Sequence, residues 1–346
     1  MATFLFRADA TPAMGTGHMM RCLALAEGLH DLGHACHFLY REATPSIERR
    51  LAAEGVATTR IEAQTVDLRA EATLWCAREM RADCLVVDGY QFDEDWRLAA
   101  RAFERPILAF QDRIDASPLH ADLVLNPAAD PADASARHAA PEAIWLMGTE
   151  HVLLRREMRS AIAKVPLPLE ERKSLLVTFG GSDPAGLTLP VLERIAQETP
   201  LPFIEVVIGG SVSRGPELAE KVSALGSFIR VHLDPREMGE IMRRSGLALS
   251  AAGSTMGELA ALGVPAILAV VAENQEDSAS LAASVGWCRS RDARLPGAAK
   301  ALAEEALDLW QDLPMRREMA GRTIGLVDAC GVARVCEALV AAATKP

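Results

Sequence analysis

Aromatic residues are scarce in this sequence, and long apolar runs are missing from it. Aromatics make up 5% of the 346 residues, and the apolar half consists mostly of Ala, Leu and Val. No apolar run approaches the about 20 residues that a membrane-spanning helix needs, and the N-terminus lacks the basic and apolar regions of a signal peptide. Low-complexity tracts are absent too, which excludes a largely disordered chain. We therefore expect a globular protein with no membrane segment.

Positive charge is also in short supply, since the formal net charge is −11. A general nucleic-acid binder is usually basic, so this balance speaks against nucleic acid as a partner. A small anionic ligand stays compatible with it, because helix N-termini and backbone amides can hold a phosphate group.

The seven cysteines follow no ligand or disulfide pattern. Their number is odd, no C-x-x-C is present, and several lie in apolar runs such as residues 84–87. This usage is typical of reduced thiols in a protein core. It predicts a cytoplasmic location.

Short apolar runs alternate with helix-length segments along the chain. Strands are predicted at residues 3–6, 35–40, 84–88, 107–110, 123–125, 175–179, 204–208, 228–232, 247–250 and 266–271. Most of these runs are continuously apolar, which indicates strands buried on both faces of a parallel sheet. The alternation predicts right-handed βαβ crossovers, and the length favours two domains.

The domain boundary is predicted in the charged segment 155–173, which contains Pro166 and Pro168 and precedes a new strand. The predicted domains are residues 1–157 and residues 158–346. Each is expected to be a doubly wound α/β domain. The second is expected to end in helices, because residues 301–343 show little strand pattern.

A glycine-rich loop follows the first strand and ends in Gly15-Thr16-Gly17-His18, where a helix begins. It does not predict a dinucleotide site, because Met20 occupies the third glycine position and the loop is too long. Ligands of doubly wound sheets bind at this edge, and the helix dipole disfavours the charged form of a histidine at its N-terminus. His18 is therefore either a general base that takes a proton from water or a surface histidine after a turn.

No metal site is expected. His18 and Cys22 are four residues apart, and His34, Cys36 and His37 form a second cluster, but neither has a matching set of ligands. Residues 35–40 also have the pattern of a buried strand.

Two further loops follow strands in the second half. Gly180-Gly181-Ser182-Asp183-Pro184 either lets the backbone approach a ligand or forms a plain junction in which Asp183 caps a helix that begins at Pro184. Residues 250–255 place small side chains at a strand-to-helix junction, where backbone amides can hold a diphosphate. This is not a Walker A loop, because it has no Gly-Lys pair.

Two polar residues near these loops have two interpretations each. Glu258 completes a capping box with Thr255, or it accepts hydrogen bonds from both hydroxyls of a ribose. Asn274 is a helix N-cap, or it presents its amide at the carboxyl edge of the sheet. The pattern of the sequence leaves both choices open.

Taken together, the motifs resemble the UDP-2,4-diacetamido-2,4,6-trideoxy-β-L-altropyranose hydrolases of pseudaminic acid biosynthesis. The resemblance covers roughly residues 3–290, with the motifs in the same order. These motifs are Arg7-x-Asp9, Gly15-Thr16-Gly17-His18-Met19-Met20-Arg21-Cys22-Leu23, Val87-Asp88-x-Tyr90, residues 122–126, Leu153-Leu154-Arg155-x-Glu157, Gly180-Gly181-Ser182-Asp183-Pro184, residues 250–255 and Ala272-Glu273-Asn274-Gln275.

The resemblance implies a GT-B-like fold, in which two Rossmann-like doubly wound domains face a central cleft. It implies that the C-terminal domain binds UDP through Gly180, Ser182, Gly209, Ser250, Ala251, Gly253, Ser254, Thr255 and Glu258. It also implies that His18 is the catalytic residue and that the sugar is bound by Asp9, Gly17, Arg21, Tyr90 and Asn274. Asp9 and Asp112 are both candidates to assist His18. No cofactor and no metal are implied.

The implied activity is hydrolysis of a UDP-linked 2,4-diacetamido-2,4,6-trideoxy sugar to the free sugar and UDP. His18 acts in this scheme as general base on a water that attacks and inverts the anomeric carbon. The expected partner is a UDP-sugar, with no nucleic acid and no membrane, and the expected state is a monomer.

The sequence leaves two alternatives to hydrolysis open. The first is a GT-B glycosyltransferase with a UDP-sugar donor. A lipid-linked acceptor would require an apolar, basic face on the N-terminal domain, whereas residues 42–50 and 60–71 are charged. The second is a non-catalytic nucleotide-sugar binding module, which would not need Gly17 and His18.

Overall fold

The structure is a computed structural model, and it describes residues 1–11, 14–62, 67, 69–112, 117–199 and 202–344. Residues 12–13 of the first glycine-rich loop, and residues 63–66 and 68 of the charged segment 60–71, lie outside the described residues. The chain divides into two compact units. The first comprises Met1–Thr11, His18–Arg156 and Cys330–Pro346, and the second comprises Pro12–Gly17 and Glu157–Ala329.

Each unit is built on a parallel β-sheet. The strands of the first unit are β1 (Thr3–Ala8), β2 (Ala35–Tyr40), β3 (Ala57–Arg60), β4 (Cys84–Asp88), β5 (Ile107–Phe110), β6 (Leu123–Asn126) and β7 (Ile144–Met147). The strands of the second unit are β8 (Ser174–Thr178), β9 (Phe203–Ile208), β10 (Ile229–Leu233), β11 (Ser245–Ala251), β12 (Ala266–Val270) and β13 (Cys288–Asp292). Within the described residues, the spatial order is β3-β2-β1-β4-β5-β6-β7 in the first sheet and β10-β9-β8-β11-β12-β13 in the second.

Helices pack against both sheets. They are α1 (Gly17–Asp31), α2 (Pro45–Ala53), α3 (Glu71–Glu79), α4 (Glu94–Ala100), α5 (Arg156–Ile162), α6 (Thr188–Ile195), α7 (Gly215–Ser223), α8 (Met238–Arg243), α9 (Thr255–Ala261), α10 (Glu276–Val285), α11 (Ala298–Gln311), α12 (Leu313–Gly321) and α13 (Gly331–Ala343). In the first unit, Leu25 and Leu29 of α1 pack with Phe6 and Phe38 on one face of the sheet. The other face packs against α3 and α4, where Trp96 is buried.

Both sheets have the strand order of a Rossmann fold. In each, the chain runs outward over three strands and then returns to a fourth strand beside the first, so the order reverses between β1 and β4 and between β8 and β11. Ligands of such sheets bind outside the carboxyl ends of the strands at this reversal point. The structure therefore confirms two Rossmann-like doubly wound α/β domains.

The ten predicted strands are all present, and the part of the chain that the structure describes has three further strands, which lie at sheet edges. β3 and β7 form the two edges of the first sheet, and β13 forms one edge of the second. β3 is mostly exposed, and β13 carries Arg289 and Arg291. An edge strand has a neighbour on one side only, so it tolerates polar residues and lacks the continuous apolar run that marks a central strand.

The position of helix α13 differs from the prediction. The sequence places residues 158–346 in one C-terminal domain, whereas residues Cys330–Pro346 belong to the first unit. Val332, Val335 and Leu339 of α13 are buried in the core beneath α1. A Cβ added to Gly28 of α1 would lie 2.3 Å from the Cγ1 atom of Val332, so the two helices are in close contact. The apolar face of a helix predicts that the helix is buried, but it does not indicate which of the two domain cores buries it.

Candidate active site

His18 lies in the first turn of α1, and Asp88 is the last residue of β4. Both therefore stand where the strand order of the first sheet reverses. The Nδ1 atom of His18 lies 2.7 Å from the Oδ1 atom of Asp88. Both residues are buried, with 6% of His18 and 1% of Asp88 exposed. The fold thus joins a histidine and a carboxylate that are 70 residues apart in the sequence.

The charge of Asp88 determines which ring nitrogen of His18 carries the proton. Burial alone would raise the pKa of Asp88, but the charges and hydrogen bonds of Arg21 and His18 hold it well below its usual range. An ionised carboxylate only accepts hydrogen bonds, so Nδ1 must donate, and the neutral ring then has its lone pair on Nε2. Among the described residues, no hydrogen bond is made to Nε2. The neutral ring therefore keeps a basic nitrogen available.

Arg21 lies one turn after His18 and joins two carboxylates. Its Nε and Nη2 atoms donate to Asp88 at 2.5 and 2.6 Å, and its Nη1 and Nη2 atoms donate to Asp112 at 2.6 and 2.9 Å. The ring of Phe110 covers the guanidinium group at 4.6 Å. Burial would raise the pKa of Asp112, but Arg21 lowers it below its usual range. Both carboxylates are therefore ionised at neutral pH.

Tyr90 completes the cluster beside the histidine ring. Its hydroxyl donates to Oδ2 of Asp112 at 2.7 Å, and its ring meets that of His18 edge to face with centroids 4.8 Å apart. Tyr90 is 52% exposed, unlike the buried residues behind it. The structure thus brings two of the predicted sugar-binding residues, Arg21 and Tyr90, together with His18.

Asp9 has a separate set of partners. Its Oδ1 atom accepts hydrogen bonds from the backbone amides of Arg41 at 2.6 Å and Glu42 at 3.1 Å, and its Oδ2 atom accepts one from Nε2 of Gln91 at 2.9 Å. These contacts hold the segment that follows β2. They occupy both oxygens of the carboxylate.

The partner of His18 is a residue that the sequence did not single out for this role. Among the described residues, neither Asp9 nor Asp112 hydrogen-bonds to His18; Asp88 does. The sequence carries one signal for it, an aspartate directly after the apolar run of β4. The carboxyl ends of parallel strands meet at one edge, so such a residue is a candidate for a site at that edge.

The second unit offers backbone amides at its own reversal point. β11 ends at Ala251 and α9 begins at Thr255, and among the described residues the amides of Gly253, Ser254 and Thr255 donate to no backbone carbonyl. Amides at the N-terminus of a helix can bind anions. Ser250 differs from them, because it is fully buried and its hydroxyl donates to the carbonyl of Ala251 at 3.1 Å.

Three glycines follow strands β8 and β9, and each is favoured for its own reason. Gly180 has a φ of +80°, in the region that favours glycine. A Cβ added to Gly181 would lie 2.1 Å from the hydroxyl oxygen of Thr16, and one added to Gly209 would lie 2.4 Å from the carbonyl oxygen of Gly181. A side chain at position 180 would therefore strain the backbone, one at position 181 would displace Thr16, and one at position 209 would meet the backbone of Gly181.

The carboxylate of Asp183 binds amides at the start of a helix, but that helix begins later than the sequence suggests. Helix α6 begins at Thr188 and not at Pro184. The carboxylate of Asp183 accepts hydrogen bonds from the amides of Leu187 at 2.9 Å and Thr188 at 3.0 Å. Ser182, beside it, is half-buried. The interpretation as a plain strand–turn–helix junction is therefore incomplete, because a further turn lies between the two glycines and helix α6.

The two capping interpretations in this unit do not describe the structure. Ser254, and not Thr255, occupies the N-cap position of α9, and its side chain makes no cap hydrogen bond. Asn274 lies inside a short 3₁₀ turn, Glu273–Gln275, and not at its cap. Glu258 and Asn274 are both half-buried.

Gly17 belongs to the second unit, where a Cβ added to it would lie 3.8 Å from the hydroxyl oxygen of Ser254.

Within the described ranges, no three His, Cys, Asp or Glu side chains come together as a ligand set for a metal. All seven cysteines are free thiols, and five are buried. None of the helices that the structure describes is long and apolar enough to span a bilayer.

No family model matches this chain. The UDP-2,4-diacetamido-2,4,6-trideoxy-β-L-altropyranose hydrolase of Campylobacter jejuni is 25% identical over 290 residues, which cover 82% of this chain and 97% of the hydrolase. An uncharacterized protein of Methanocaldococcus jannaschii is 24% identical over 276 residues, or 78% of this chain. The match spans only 56% of the length of that archaeal protein.

Solved structures similar to this chain are mostly glycosyltransferases. MurG of Acinetobacter baumannii matches with a TM-score of 0.65 and 18% identity, over 99% of this chain and 100% of MurG. The spinosyn rhamnosyltransferase SpnG in complex with thymidine diphosphate matches with a TM-score of 0.66 and 14% identity, over 97% of this chain and 100% of SpnG. These likenesses show that the chain has the GT-B fold.

Proposed function

We propose that this chain is a UDP-sugar hydrolase, which releases UDP and the free sugar from a UDP-linked 2,4-diacetamido-2,4,6-trideoxy sugar in pseudaminic acid biosynthesis. The observation that carries the general-base chemistry is the hydrogen bond from Nδ1 of His18 to the ionised Asp88, because it makes Nε2 the basic nitrogen. Similarity to the C. jejuni hydrolase supports the substrate, since the match extends over 97% of that enzyme.

The reaction is a single displacement at the anomeric carbon. Nε2 of His18 takes a proton from a water molecule while the water oxygen attacks that carbon. The bond from the carbon to the β-phosphate oxygen breaks, and UDP leaves with the electron pair. Attack opposite the leaving group inverts the anomeric carbon. Asp88 stabilises the imidazolium that forms, and the ring then returns its proton to solvent.

The second unit would bind the leaving group. The amides of Gly253, Ser254 and Thr255 lie at the N-terminal end of α9, where the helix dipole favours negative charge. Donors placed in this way would bind the diphosphate and stabilise the charge that grows on it during bond breaking. No lysine is required for this, which agrees with the net charge of −11.

Glycosyl transfer is the second candidate, and the solved structures favour it. In addition to MurG and SpnG, a UDP-N-acetylglucosamine–N-acetylmuramyl-(pentapeptide) pyrophosphoryl-undecaprenol N-acetylglucosamine transferase of Exiguobacterium sp. is 28% identical over 191 residues, or 51% of this chain and 50% of the transferase. The pair of His18 and Asp88 would serve transfer equally well, because Nε2 can deprotonate an acceptor hydroxyl in place of water. The two reactions differ in the nucleophile alone.

Incubation of the pure protein with UDP-sugars in the absence of any acceptor separates the candidates. Proton NMR should show release of UDP and a free sugar whose first-formed anomer is inverted. UDP release that starts only when an acceptor is added would replace hydrolysis with transfer. UDP binding without turnover under either condition would identify a binding module and overturn both enzymatic candidates.

A further inference from the structure

Arg21 is the most heavily bonded side chain around His18. A guanidinium group has five N–H donors. Four contacts of Arg21 go to Asp88 and Asp112, two to each carboxylate. The 3.2 Å approach of Nη2 to Nδ1 of His18 is not a hydrogen bond while Nδ1 carries its proton. One N–H of Arg21 is therefore left for any other partner.

We propose that Arg21 and Asp112 are positioning residues for His18, and that Arg21 is not a ligand of the sugar. Arg21 holds both oxygens of Asp88, so that Oδ1 stays directed at Nδ1 of His18. Asp112 holds Arg21 from the other side and also accepts the hydroxyl of Tyr90. The kinetic part of this inference rests on the proposed function.

The planar shape of the guanidinium group is what makes this arrangement rigid. Two carboxylates each bind it through a pair of nearly parallel hydrogen bonds, a geometry that an ammonium group cannot reproduce. The ring of Phe110 limits its movement out of the plane. A lysine at position 21 would keep the charge and lose the fixed angles.

The charges of the cluster point to the same role. Asp88 and Asp112 carry two negative charges, and Arg21 carries one positive charge. An imidazolium on His18 brings the sum to zero, so the cluster is electrostatically complementary to the state that follows proton transfer from water. Asp112, although it does not touch His18, contributes to this balance.

Arg21→Lys and Asp112→Asn test the proposal, with Arg101→Lys as the matched control. Arg101 belongs to the same unit and pairs with Asp122 at 2.6 Å, but this pair is exposed and lies outside the cluster. A positioning role predicts that both cluster variants lower kcat by about 10–100-fold, by analogy with the cost of losing a group that orients a metal-binding histidine. KM should stay near the wild-type value, and Arg101→Lys should behave as wild type. A rise in KM with unchanged kcat in Arg21→Lys would make Arg21 a sugar ligand and overturn the proposal.

A second measurement does not depend on turnover. Nitrogen-15 NMR of histidine-labelled protein, with the His18 signals identified by their loss in His18→Gln, reports the tautomer of the ring. The wild type and Arg101→Lys should show the Nδ1–H form, and Arg21→Lys should show a mixture of tautomers. An unchanged tautomer in Arg21→Lys would overturn the positioning role. The proposed function and the positioning role can also fail separately. If the wild type hydrolyses no UDP-sugar but Arg21→Lys still shows a mixture of tautomers, the proposed function is wrong and the positioning role stands.

Discussion

The carboxylate of Asp88 binds Arg21 with both of its oxygens, at 2.5 Å to Nε and 2.6 Å to Nη2. Oδ1 is also the atom that meets His18, so one carboxylate is shared between a permanent cation and a ring that gains and loses a proton. Asp88 is 1% exposed, so the loss of either partner would leave a buried carboxylate oxygen without that hydrogen bond. Changes at this residue should therefore affect the reaction more than substrate binding.

Asp88→Asn should lower kcat by about 10²–10⁴-fold, because a neutral amide neither fixes the tautomer of His18 nor stabilises the imidazolium. Release of UDP measures the rate, and thermal unfolding verifies that the variant is folded. Asp95→Asn is the control, since Asp95 is an exposed carboxylate on α4 of the same unit. Equal rates in Asp88→Asn and wild type would mean that His18 works without this partner.

His18→Ala should keep the affinity for UDP and lose about 10²–10⁴-fold or more in kcat, because it removes the base and leaves the second unit intact. Calorimetry with UDP and the UDP-release assay give the two numbers. His138→Ala serves as control, because His138 is exposed. A near wild-type turnover in His18→Ala would show that another group activates the nucleophile.

Gly209→Ala should destabilise the protein by about 1–3 kcal/mol, because the added methyl group meets the carbonyl oxygen of Gly181 at 2.4 Å. It should also weaken UDP binding, since the displaced backbone belongs to the loop after β8. Urea unfolding and calorimetry test the two effects. Gly321→Ala is the matched control, as no atom lies within 4 Å of its added Cβ. Identical unfolding curves for the two variants would contradict the close approach.

Glu205 should make the second unit lose stability in acid. Burial would raise the pKa of this carboxylate, but Oε1 bonded to Arg244 at 2.7 Å and Oε2 bonded to His232 at 2.6 Å lower it. A lowered pKa in the folded state gives stability that is present above the unfolded pKa of about 4.3 and is lost as the pH falls through the folded value.

Glu205→Gln should therefore be less stable than the wild type at neutral pH, and the difference should shrink as the pH drops below about 4. Urea unfolding across this pH range measures it. Glu217→Gln is the control, because Glu217 is exposed and its oxygen is 3.7 Å from Arg214. A Glu205→Gln difference that stays constant with pH would show that the ion pairs do not contribute.

The sequence predicts the fold well because the central strands are buried on both faces, as in Cys84–Asp88, and therefore appear as continuous apolar runs. It also places His18 correctly at the start of a helix after the first strand. It does not reveal that residues 18, 21, 88 and 112 meet, because their contacts depend on which strands are neighbours and on side-chain geometry. The sequence also does not reveal that the carboxylate of Asp9 accepts hydrogen bonds from the backbone amides of Arg41 and Glu42, and its place in the sugar site stays a prediction.

The return of α13 to the first unit has a consequence for biosynthesis. The unit that holds His18 is interrupted in sequence by the whole of Glu157–Ala329. Domains usually fold in the order in which they leave the ribosome, but here the second unit can complete its core first. The first unit must wait for Val332, Val335 and Leu339, so His18 is synthesised long before the helix that completes the core beside α1.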